Sequence, residues 1–325
     1  MNEIPKILLI TSKTDITTDY IVRRLRERKK EFYRLNTEDI GQTVQLCFDF
    51  SKKSFKIFDF CTNKEIDLLK IKSVYFRRPE INAVFSETTK AEANFIKGEL
   101  IFTLEGLYKI LDDAFWLNNV TKIRNAENKI YQILVASKLG FNIPNSIVTN
   151  HSKFAKDFYF DQESYCIIKP IKSGLIEDAE EEGVIFTNRI FLEEKNAERI
   201  ESCPIYLQRL IDKKGDVRVT VVGDKVFGAF IHSQDLKESQ IDWRKAGVPL
   251  THSKIELPKD LIAQCQCLMS ELSLNFGAID FILDKKGNYF FLEINPNGQW
   301  AWIERQLDYN ISNEITNILV EKTFQ

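Results

Sequence analysis

Short apolar runs and longer amphipathic stretches alternate along the first third of the chain. Lys6–Thr11 and Ile71–Phe76 are apolar runs bounded by polar residues, a pattern that predicts buried strands. Between them Asp15 can cap an amphipathic helix, and a longer helix is predicted from Thr88 to Asp113. This alternation predicts an α/β unit over residues 1–115. Further strands are predicted at Glu31–Leu35, Val44–Phe50 and Ser54–Phe60, with the last two paired.

Strand-like runs dominate the rest of the chain, with helices between them. A helix from Ala126 to Leu139 can end at Gly140, because glycine readily adopts the left-handed backbone of a helix C-terminus. A mixed α/β (α+β) fold of two or three domains is therefore predicted for the 325 residues. The other predicted strands are Ser146–Thr149, Tyr165–Pro170, Val184–Thr187, Ile205–Leu210, Asp216–Val222 and Lys225–His232, and further helices begin at Pro258 and Asn310.

Composition narrows the class of protein. Charged residues make up 28% of the chain and the net charge is −2, so no basic surface for nucleic acid is predicted. No run approaches the roughly 18 apolar residues of a transmembrane helix, and residues 1–11 lack a signal-peptide pattern. The six cysteines lack zinc-binding spacing, so we expect reduced, mostly buried thiols. We therefore expect a cytoplasmic protein with neither a nucleic-acid nor a membrane partner.

Two carboxylates and an amide near the C-terminus are the most informative side chains. Asp280 lies in one apolar run and Glu293 and Asn295 in the next, and Lys285–Asn288 between them predict a β-hairpin. If residue 284 pairs with residue 289, Asp280 lies opposite Glu293 at about 5 Å between Cβ atoms, and Asn295 shares their face. Opposed buried carboxylates are unfavourable, and Mg²⁺ that also carries nucleotide phosphates removes the conflict. The hairpin therefore predicts a Mg-ATP site.

A solvated hairpin face is the alternative to this metal site. Asp280 and Glu293 would then contact only water, and a one-residue slip would turn them to opposite faces. The flanking residues are too apolar and aromatic for a half-exposed hairpin, which favours the metal site.

Two lysines are candidates for binding phosphate. Lys169 ends an apolar strand, where an ammonium group is unfavourable unless it meets an anion or extends to solvent. Lys129 lies on a predicted helix, where a solvated lysine is the ordinary interpretation. Downstream, Lys172-Ser173-Gly174 could form a short loop that faces phosphate, and the acidic run Glu177–Glu182 could form the tip of a lid.

Three charged residues are candidates for contact with the reacting groups. Asp216 and Arg218 share one face of a predicted strand, either as a surface ion pair or as groups that orient an anionic substrate. Arg244 lies in a polar loop, and arginines stabilise transferring phosphoryl groups. Asp216, Arg218 and Arg244 are therefore the catalytic candidates.

Several of these motifs occur in an order that characterises a known superfamily. They include Asn128-Lys129, Ile168-Lys169-Pro170, Gln208-Arg209-Leu210, Asp216-Val217-Arg218, Asp280-Phe281 and Glu293-Ile294-Asn295-Pro296. Residues 116–308 resemble the ATP-grasp superfamily on these motifs, although an acidic run replaces the glycine-rich loop of many members. In closer detail the chain resembles the graspetide (microviridin-type) synthetases and the peptide maturases of grasp-with-spasm clusters. The motifs behind the finer resemblance are Tyr75-Phe76-Arg77-Arg78-Pro79, Trp116-Leu117-Asn118, Ile241-Asp242-Trp243-Arg244 and Gly298-Gln299-Trp300.

The resemblance implies an ATP-grasp fold in three parts and a role for each candidate residue. The parts are an N-terminal pre-ATP-grasp domain (1–115), a central subdomain with a lid (116–190) and a C-terminal subdomain with the metal site (191–325). The implied roles are ATP-phosphate binding by Lys129 and Lys169, backbone lining of the adenine pocket by Gln208, Arg209 and Leu210, Mg²⁺ binding by Asp280, Glu293 and Asn295, and contact with the γ-phosphate and the substrate carboxylate by Arg218 and Arg244.

The implied reaction is ATP-dependent ligation on a ribosomal precursor peptide that carries a leader. An Asp or Glu side chain of the peptide becomes an acyl phosphate, which a Ser, Thr or Lys attacks to give a macrocyclic ester or amide. An ATP-grasp ligase that adds an amino acid to a small carboxylate or protein tail is one alternative, and a nucleotide-binding module without ligase activity is another. Trp243, Trp300 and Trp302 near the predicted mouth favour a peptide, and a homodimer is implied by the resemblance alone.

Overall fold

The computed structural model describes residues 5–82, 88–172, 174–177, 182–193 and 199–324, which form two compact units. The first unit comprises Met1–Ile123, Leu274–Phe276 and Asn297–Gln325, and the second comprises Arg124–Ser273 and Gly277–Pro296. The described helices are α1 (Ile16–Glu27), α2 (Lys90–Ile110), α3 (Val120–Ala126), α4 (Lys129–Lys138), α5 (Ser152–Asp161), α6 (Lys259–Glu271), α7 (Ala301–Leu307) and α8 (Ile311–Phe324). The described strands are β1 (Ile7–Thr11), β2 (Phe32–Asn36), β3 (Val44–Asp49), β4 (Ser54–Asp59), β5 (Lys64–Asp67), β6 (Ser73–Phe76), β7 (Phe115–Leu117), β8 (Ser146–Thr149), β9 (Cys166–Lys169), β10 (Leu175–Glu177), β11 (Glu182–Val184), β12 (Asn188–Arg189), β13 (Ile205–Arg209), β14 (Lys213–Val222), β15 (Lys225–Ile231), β16 (His252–Lys254), β17 (Phe276–Asp284) and β18 (Tyr289–Asn295).

A parallel sheet in the order β2-β1-β6-β7 forms the centre of the first unit. The strands β3, β4 and β5 lie between β2 and β6 in the chain and form a separate antiparallel sheet. Apolar residues of the first sheet, such as Leu8, Ile10 and Val74, are buried with Leu107 of α2. The Asp15 side chain accepts a hydrogen bond from the Thr17 N–H at the start of α1, which confirms the predicted cap. The predicted pairing of β3 with β4 is also confirmed.

A buried arginine connects three segments within the first unit. Arg77 is 1% exposed, and its Nη1 donates to the carbonyl oxygens of Asn297 and Gly298 at 2.9 and 3.1 Å. Its Nη2 donates to Gln299 Oε1 at 2.9 Å, and its Nε lies 3.3 Å from Asp15 Oδ2. The motifs around Arg77 and Gln299 that carried the finer resemblance are therefore in direct contact.

Two larger sheets and the two-stranded sheet of β10 and β11 lie in the described part of the second unit. The first has the order β12-β9-β13-β8, and the second has the order β16-β15-β14-β17-β18. The predicted strand Ser146–Thr149 is confirmed, and Gly140 has a φ of 76° after α4, as a left-handed helix terminus requires. The single strand predicted at Val184–Thr187 is wrong, because β11 ends at Val184 and β12 begins at Asn188.

Several expectations fail because they depend on packing rather than on local pattern. The helices α3, α5 and α7 and the short strands β5 and β7 were not predicted. All six cysteines are free, but only Cys166 and Cys265 are buried, so mostly buried thiols were a wrong expectation. None of the described helices is long and apolar enough to span a bilayer. The division into three parts stays a prediction.

Replacing Arg77 by alanine is expected to destabilise the first unit strongly. The change leaves the carboxylate of Asp15 without its buried cationic partner, and breaking a buried ion pair in this way costs about 3–5 kcal/mol. Urea unfolding followed by circular dichroism measures the change in midpoint. Arg23→Ala is the matched control, since the Arg23–Glu27 pair is exposed. Similar midpoints for the two variants would contradict a stabilising role for Arg77.

Candidate active site

A β-bulge sets the register between the two strands that carry the predicted metal ligands. Asp280 of β17 pairs with Glu293 of β18, as predicted, and Asn295 pairs two positions further along the same face. The pairing of residue 284 with residue 289, on which this prediction was based, is wrong by one residue, because Leu283 pairs with Tyr289. The register shifts between Asp280 and Phe281, and this bulge restores the opposition of the two carboxylates.

The carboxylates face a cavity of about 470 Å³ that lies within the second unit. A volume of this size is typical of small-molecule binding sites, which range from about 300 to 1,000 Å³. Both candidate lysines and all three candidate metal ligands line it, so the structure brings together side chains from β9, α4, β17 and β18. The predicted site residues in its lining are Lys129, Lys169, Leu210, Asp216, Arg244, Asp280, Glu293 and Asn295.

Cationic side chains surround the two carboxylates. Asp280 Oδ1 lies 2.9 Å from Nε of Arg218, a buried residue of β14. Glu293 Oε2 lies 3.1 Å from Lys129 Nζ, and its Oε1 lies 3.7 Å from Arg244 Nη1. The two acids therefore meet separate cations, which offsets the repulsion between like charges on adjacent strands. These contacts rule out the alternative in which Asp280 and Glu293 contact only water.

Burial and neighbouring charges shift the protonation of three groups in the cavity. Burial raises the pKa of Asp280 to about 6, an effect that Arg218 opposes. Burial also acts to raise the pKa of Glu293, but Lys129, Arg244 and Lys169 together hold it below its usual value. Burial lowers the pKa of Lys169 to about 8, and Glu293 partly offsets this. Burial therefore favours the neutral forms of Asp280 and Lys169, whereas the surrounding cations favour the charged form of Glu293.

The donor set suits magnesium that arrives with a nucleotide. Asp280, Glu293 and Asn295 present hard oxygen atoms to one cavity, and Mg²⁺ in nucleotide enzymes uses one or two carboxylates together with phosphates. Among the described residues, no group of three or more His, Cys, Asp and Glu is arranged for a metal, so a site built from protein carboxylates alone is not indicated. The fit therefore depends on phosphate oxygens as further ligands.

Asp216 does not form the predicted surface ion pair with Arg218. Asp216 and Arg218 are both more than 90% buried, so the surface ion pair is wrong. Asp216 Oδ2 instead accepts from Lys213 Nζ at 2.6 Å, and Arg218 pairs with Asp280. The two charges thus belong to separate buried pairs.

The predicted adenine-binding run reaches the cavity only at its end. Leu210 lines the cavity, whereas Gln208 is buried and its Nε2 donates to Ser146 Oγ and Tyr206 Oη, both at 3.0 Å. Arg209 is likewise absent from the described lining, and its N–H bonds to the Asn145 carbonyl oxygen. The structure therefore provides no cavity contact for Gln208 or Arg209.

Other candidates are divided between the cavity and the rest of the chain. Lys172 and Gly174 line the cavity, while Ser173 and residues 178–181 of the acidic run lie outside the described residues. Trp243 also lines it. The placement of Trp300 at the mouth is wrong, since it is fully buried in the first unit, with its ring 5.9 Å from that of Tyr20.

Sequence reasoning missed Lys213 and Asp242 as cavity residues. Lys213 pairs with Asp216, and Asp242 accepts from Arg244 Nε and Nη2, each at 2.9 Å. Burial acts to raise the pKa of Asp242, but Arg244 lowers it below its usual value overall. The spacing of Asp242 and Arg244, two residues apart beside Trp243, was the available signal, and only the fold shows that their side chains face each other.

Two protein-family models match the chain along most of its length. The model of the MvdD pre-ATP grasp domain matches residues 6–124, and the model of the RimK-like ATP-grasp domain matches residues 126–319. The chain therefore belongs to the RimK-like ATP-grasp family and carries an N-terminal pre-ATP-grasp domain. The predicted fold and superfamily are confirmed, and the class of protein is that of ATP-dependent ligases.

Three solved structures are similar to the chain along almost their entire length. Macrocyclase MdnB from Microcystis aeruginosa MRC is 30% identical to this chain, with a TM-score of 0.78. The similar region covers 97% of this chain and 98% of MdnB. Macrocyclase MdnC from the same source, bound with precursor peptide MdnA, is 27% identical with 97% and 99% coverage and a TM-score of 0.85. A RiPP-associated ATP-grasp ligase from Chryseobacterium gregarium, in complex with ADP and a leader and core peptide, is 28% identical with 98% and 97% coverage and a TM-score of 0.87.

Curated relatives extend the comparison to other ATP-grasp ligases. Alpha-aminoadipate–LysW ligase LysX from Sulfolobus acidocaldarius is 26% identical over 246 residues, which cover 73% of this chain and 83% of LysX. Mitochondrial pyruvate carboxylase from Rattus norvegicus is 24% identical over 119 residues, or 35% of this chain. The chain spans only 9% of the length of that carboxylase.

Replacing Lys169 by methionine is expected to stabilise the protein and to weaken its binding of Mg-ADP. Because burial lowers the pKa of Lys169 from 10.5 to about 8, the penalty for its charge is complete below pH 8 and shrinks as pH rises toward 10.5. Thermal unfolding should show a gain of a few degrees at pH 7 and a smaller gain at pH 9.5. Calorimetry measures the nucleotide affinity.

The exposed Lys172→Met variant is the control for this substitution. It should not reproduce the pH-dependent gain in stability. An unchanged unfolding temperature for Lys169→Met at both pH values would contradict an unfavourable buried charge.

Proposed function

We propose that this protein activates Asp or Glu side chains of a ribosomal precursor peptide with ATP and links them to Ser, Thr or Lys. The observation that carries the proposal is the cavity in which Asp280 and Glu293 oppose each other beside Lys129 and Lys169. The similarity to peptide macrocyclases over 97% or more of this chain supports a peptide as the substrate. The product is a macrocyclic ester or amide.

The proposed roles follow from the charges in the cavity. Asp280, Glu293 and Asn295 would hold Mg²⁺, which neutralises charge on the transferring phosphates when bound. Lys129 and Lys169 would bind ATP phosphates, and Leu210 would contact the adenine. Lysine or arginine cations near the γ-phosphate offset the negative charge that develops in the transition state.

The proposed reaction has two steps on the peptide. An oxygen of the peptide carboxylate attacks the γ-phosphorus of ATP, the bond to ADP breaks, and an acyl phosphate forms. A hydroxyl or amine of the same peptide then attacks the acyl carbon, the bond to phosphate breaks, and the nucleophile loses its proton. Arg244 would hold the carboxylate during both steps, a role supported by the position of its Nη1 at the cavity, 3.7 Å from Glu293 Oε1.

Part of the proposal concerns features beyond the cavity. The three-part division, a leader-binding region, a homodimer and a cytoplasmic location stay predictions. Catalytic roles for Arg218 and Asp216 are proposed in a narrower form, because both side chains are held in buried ion pairs. Arg218 would orient Asp280 toward the metal, and Asp216 would hold Lys213 in the cavity wall.

A ligase that joins an amino acid to a protein tail is the second candidate. The similarity to LysX over 73% of this chain is the observation in its favour. The higher coverage by peptide macrocyclases favours the first candidate. A nucleotide-binding module without ligase activity fits less well, because both lysines and the complete donor set line the cavity.

Mass spectrometry of the precursor peptide tests the proposed reaction. The candidate substrate is a short peptide rich in Thr and Glu or Asp, encoded beside the gene for this protein. With ATP and Mg²⁺, each cross-link should remove one water from the peptide while ADP and phosphate appear in equal amount. An unmodified peptide would contradict the maturase, and modification of a free amino acid instead would support the second candidate.

Replacing Glu293 by glutamine is expected to abolish most turnover while preserving the fold. The amide keeps the volume of Glu293 but loses the charge opposite Asp280 that a metal requires. Loss of one electrostatic group in an active site typically lowers kcat by about 10²–10³-fold. Release of phosphate measures turnover, and circular dichroism checks the fold. Near-full activity in this variant would refute the metal assignment.

A further inference from the structure

One buried carboxylate contacts two separate parts of the cavity. Asp242 is 5% exposed, and its Oδ1 and Oδ2 accept from Nε and Nη2 of Arg244. Asp242 Oδ2 also accepts from the backbone N–H of Thr187 at 3.2 Å. Asp242 therefore fixes the direction of the Arg244 guanidinium and the position of a backbone segment distant in the chain.

The backbone segment that Asp242 contacts is a wall of the cavity. This wall segment, residues 184–187, connects β11 to β12, and all four residues line the cavity. The segment is closely packed against Gly174, since a Cβ on this glycine would lie 2.0 Å from the Ile185 carbonyl oxygen. A nucleotide in the cavity would therefore contact a segment that Asp242 helps to hold in place.

A second contact joins the wall segment to the loop that carries Arg244. This arginine loop, residues 241–245, includes Lys245, whose Nζ donates to Asn188 Oδ1 and lies 5.9 Å from the ring centroid of Phe186. These contacts are exposed, whereas the bond between Asp242 and Thr187 is buried. Of the two connections between the wall segment and the arginine loop, the one through Asp242 is therefore the better shielded from water.

The arginine loop is itself attached to the central strand β14. Lys213 Nζ donates to the Ile241 carbonyl oxygen at 3.2 Å and to Asp216 at 2.6 Å, and Lys213 is buried. The Arg218 guanidinium lies 5.9 Å from the centroid of the Trp243 ring. The start of the loop is therefore held by the core of the sheet, and its Asp242 side chain bridges from this fixed base to the wall segment.

We propose that Asp242 is a positioning residue that couples nucleotide binding at the wall segment to the orientation of Arg244. The proposal rests on the proposed function, in which the nucleotide and the peptide carboxylate occupy this cavity. Coupling between two sites is reciprocal, so a nucleotide that holds the wall segment in place also favours the ordered Arg244. Bound nucleotide would therefore further favour the orientation of Arg244 that meets the substrate carboxylate.

Asp242→Asn on the full chain tests the coupling. The Arg244 backbone N–H donates to Asp242 Oδ1 at 3.2 Å, and the amide keeps this acceptor. The amide cannot bind the guanidinium and the Thr187 N–H with two anionic oxygens. We expect faster hydrogen–deuterium exchange in fragments that contain Thr187. We also expect calorimetry to show an affinity for Mg-ADP that is lower by about fivefold or more, since fivefold is the lower end of typical couplings. Asp235→Asn is the matched control, since Asp235 is an exposed carboxylate outside the described cavity lining.

Arg244→Gln tests the same coupling from the other side of Asp242. If Arg244 orients the Asp242 carboxylate, exchange at Thr187 should rise in this variant too, and the double variant should show no further rise. A carboxylate that merely accepts from Thr187 would give unchanged exchange at Thr187 in Arg244→Gln, which would overturn the proposal. Unchanged Mg-ADP affinity in Asp242→Asn would overturn it as well.

Two controls separate this proposal from its assumptions. If Asp242→Asn loses protection throughout β14 and β15, the variant is unfolded and the exchange at Thr187 in Arg244→Gln decides. A wild-type protein that binds no Mg-ADP would refute the proposed function. The exchange measurements would still decide whether Asp242 couples the wall segment to Arg244.

Discussion

The opposition of Asp280 and Glu293 is the constraint on which the second unit depends. Two carboxylates on neighbouring strands repel each other, and burial strengthens that repulsion because water screens it less. The repulsion is offset by three cationic side chains beside the pair, those of Arg218, Lys129 and Arg244. A site with this balance of charge is suited to a metal ion and a polyphosphate, since they bring charges of both signs.

The cations beside the two acids are themselves held by other carboxylates. Arg244 is fixed by Asp242, and Lys213 is fixed by Asp216, so charges of opposite sign alternate through the cavity wall. Buried ion pairs of this kind contribute little net stability compared with apolar contacts, because desolvation offsets their attraction. Their more evident effect here is geometric, since each pair restricts where a guanidinium or ammonium group can point.

The shared fold of the peptide macrocyclases gives this arrangement its context. A pre-ATP-grasp domain and an ATP-grasp domain follow each other in the chain, and the cavity that Asp280 and Glu293 face lies within the second unit. The first unit contributes a separate parallel sheet and the buried Arg77 contacts. Substitutions at Arg77 and in the cavity therefore probe the two units separately.

The sequence by itself determined the elements whose pattern is local. Strand periodicity identified β1, β8 and the β17–β18 hairpin, the Asp15 cap identified the start of α1, and the motif order identified the superfamily. Only the tertiary structure decided the β-bulge beside Asp280, the pairing of Asp216 with Lys213 and the withdrawal of Gln208 from the cavity. The physical reason is that register, burial and charge pairing depend on atoms that are distant in the chain, whereas caps and alternation depend on neighbours.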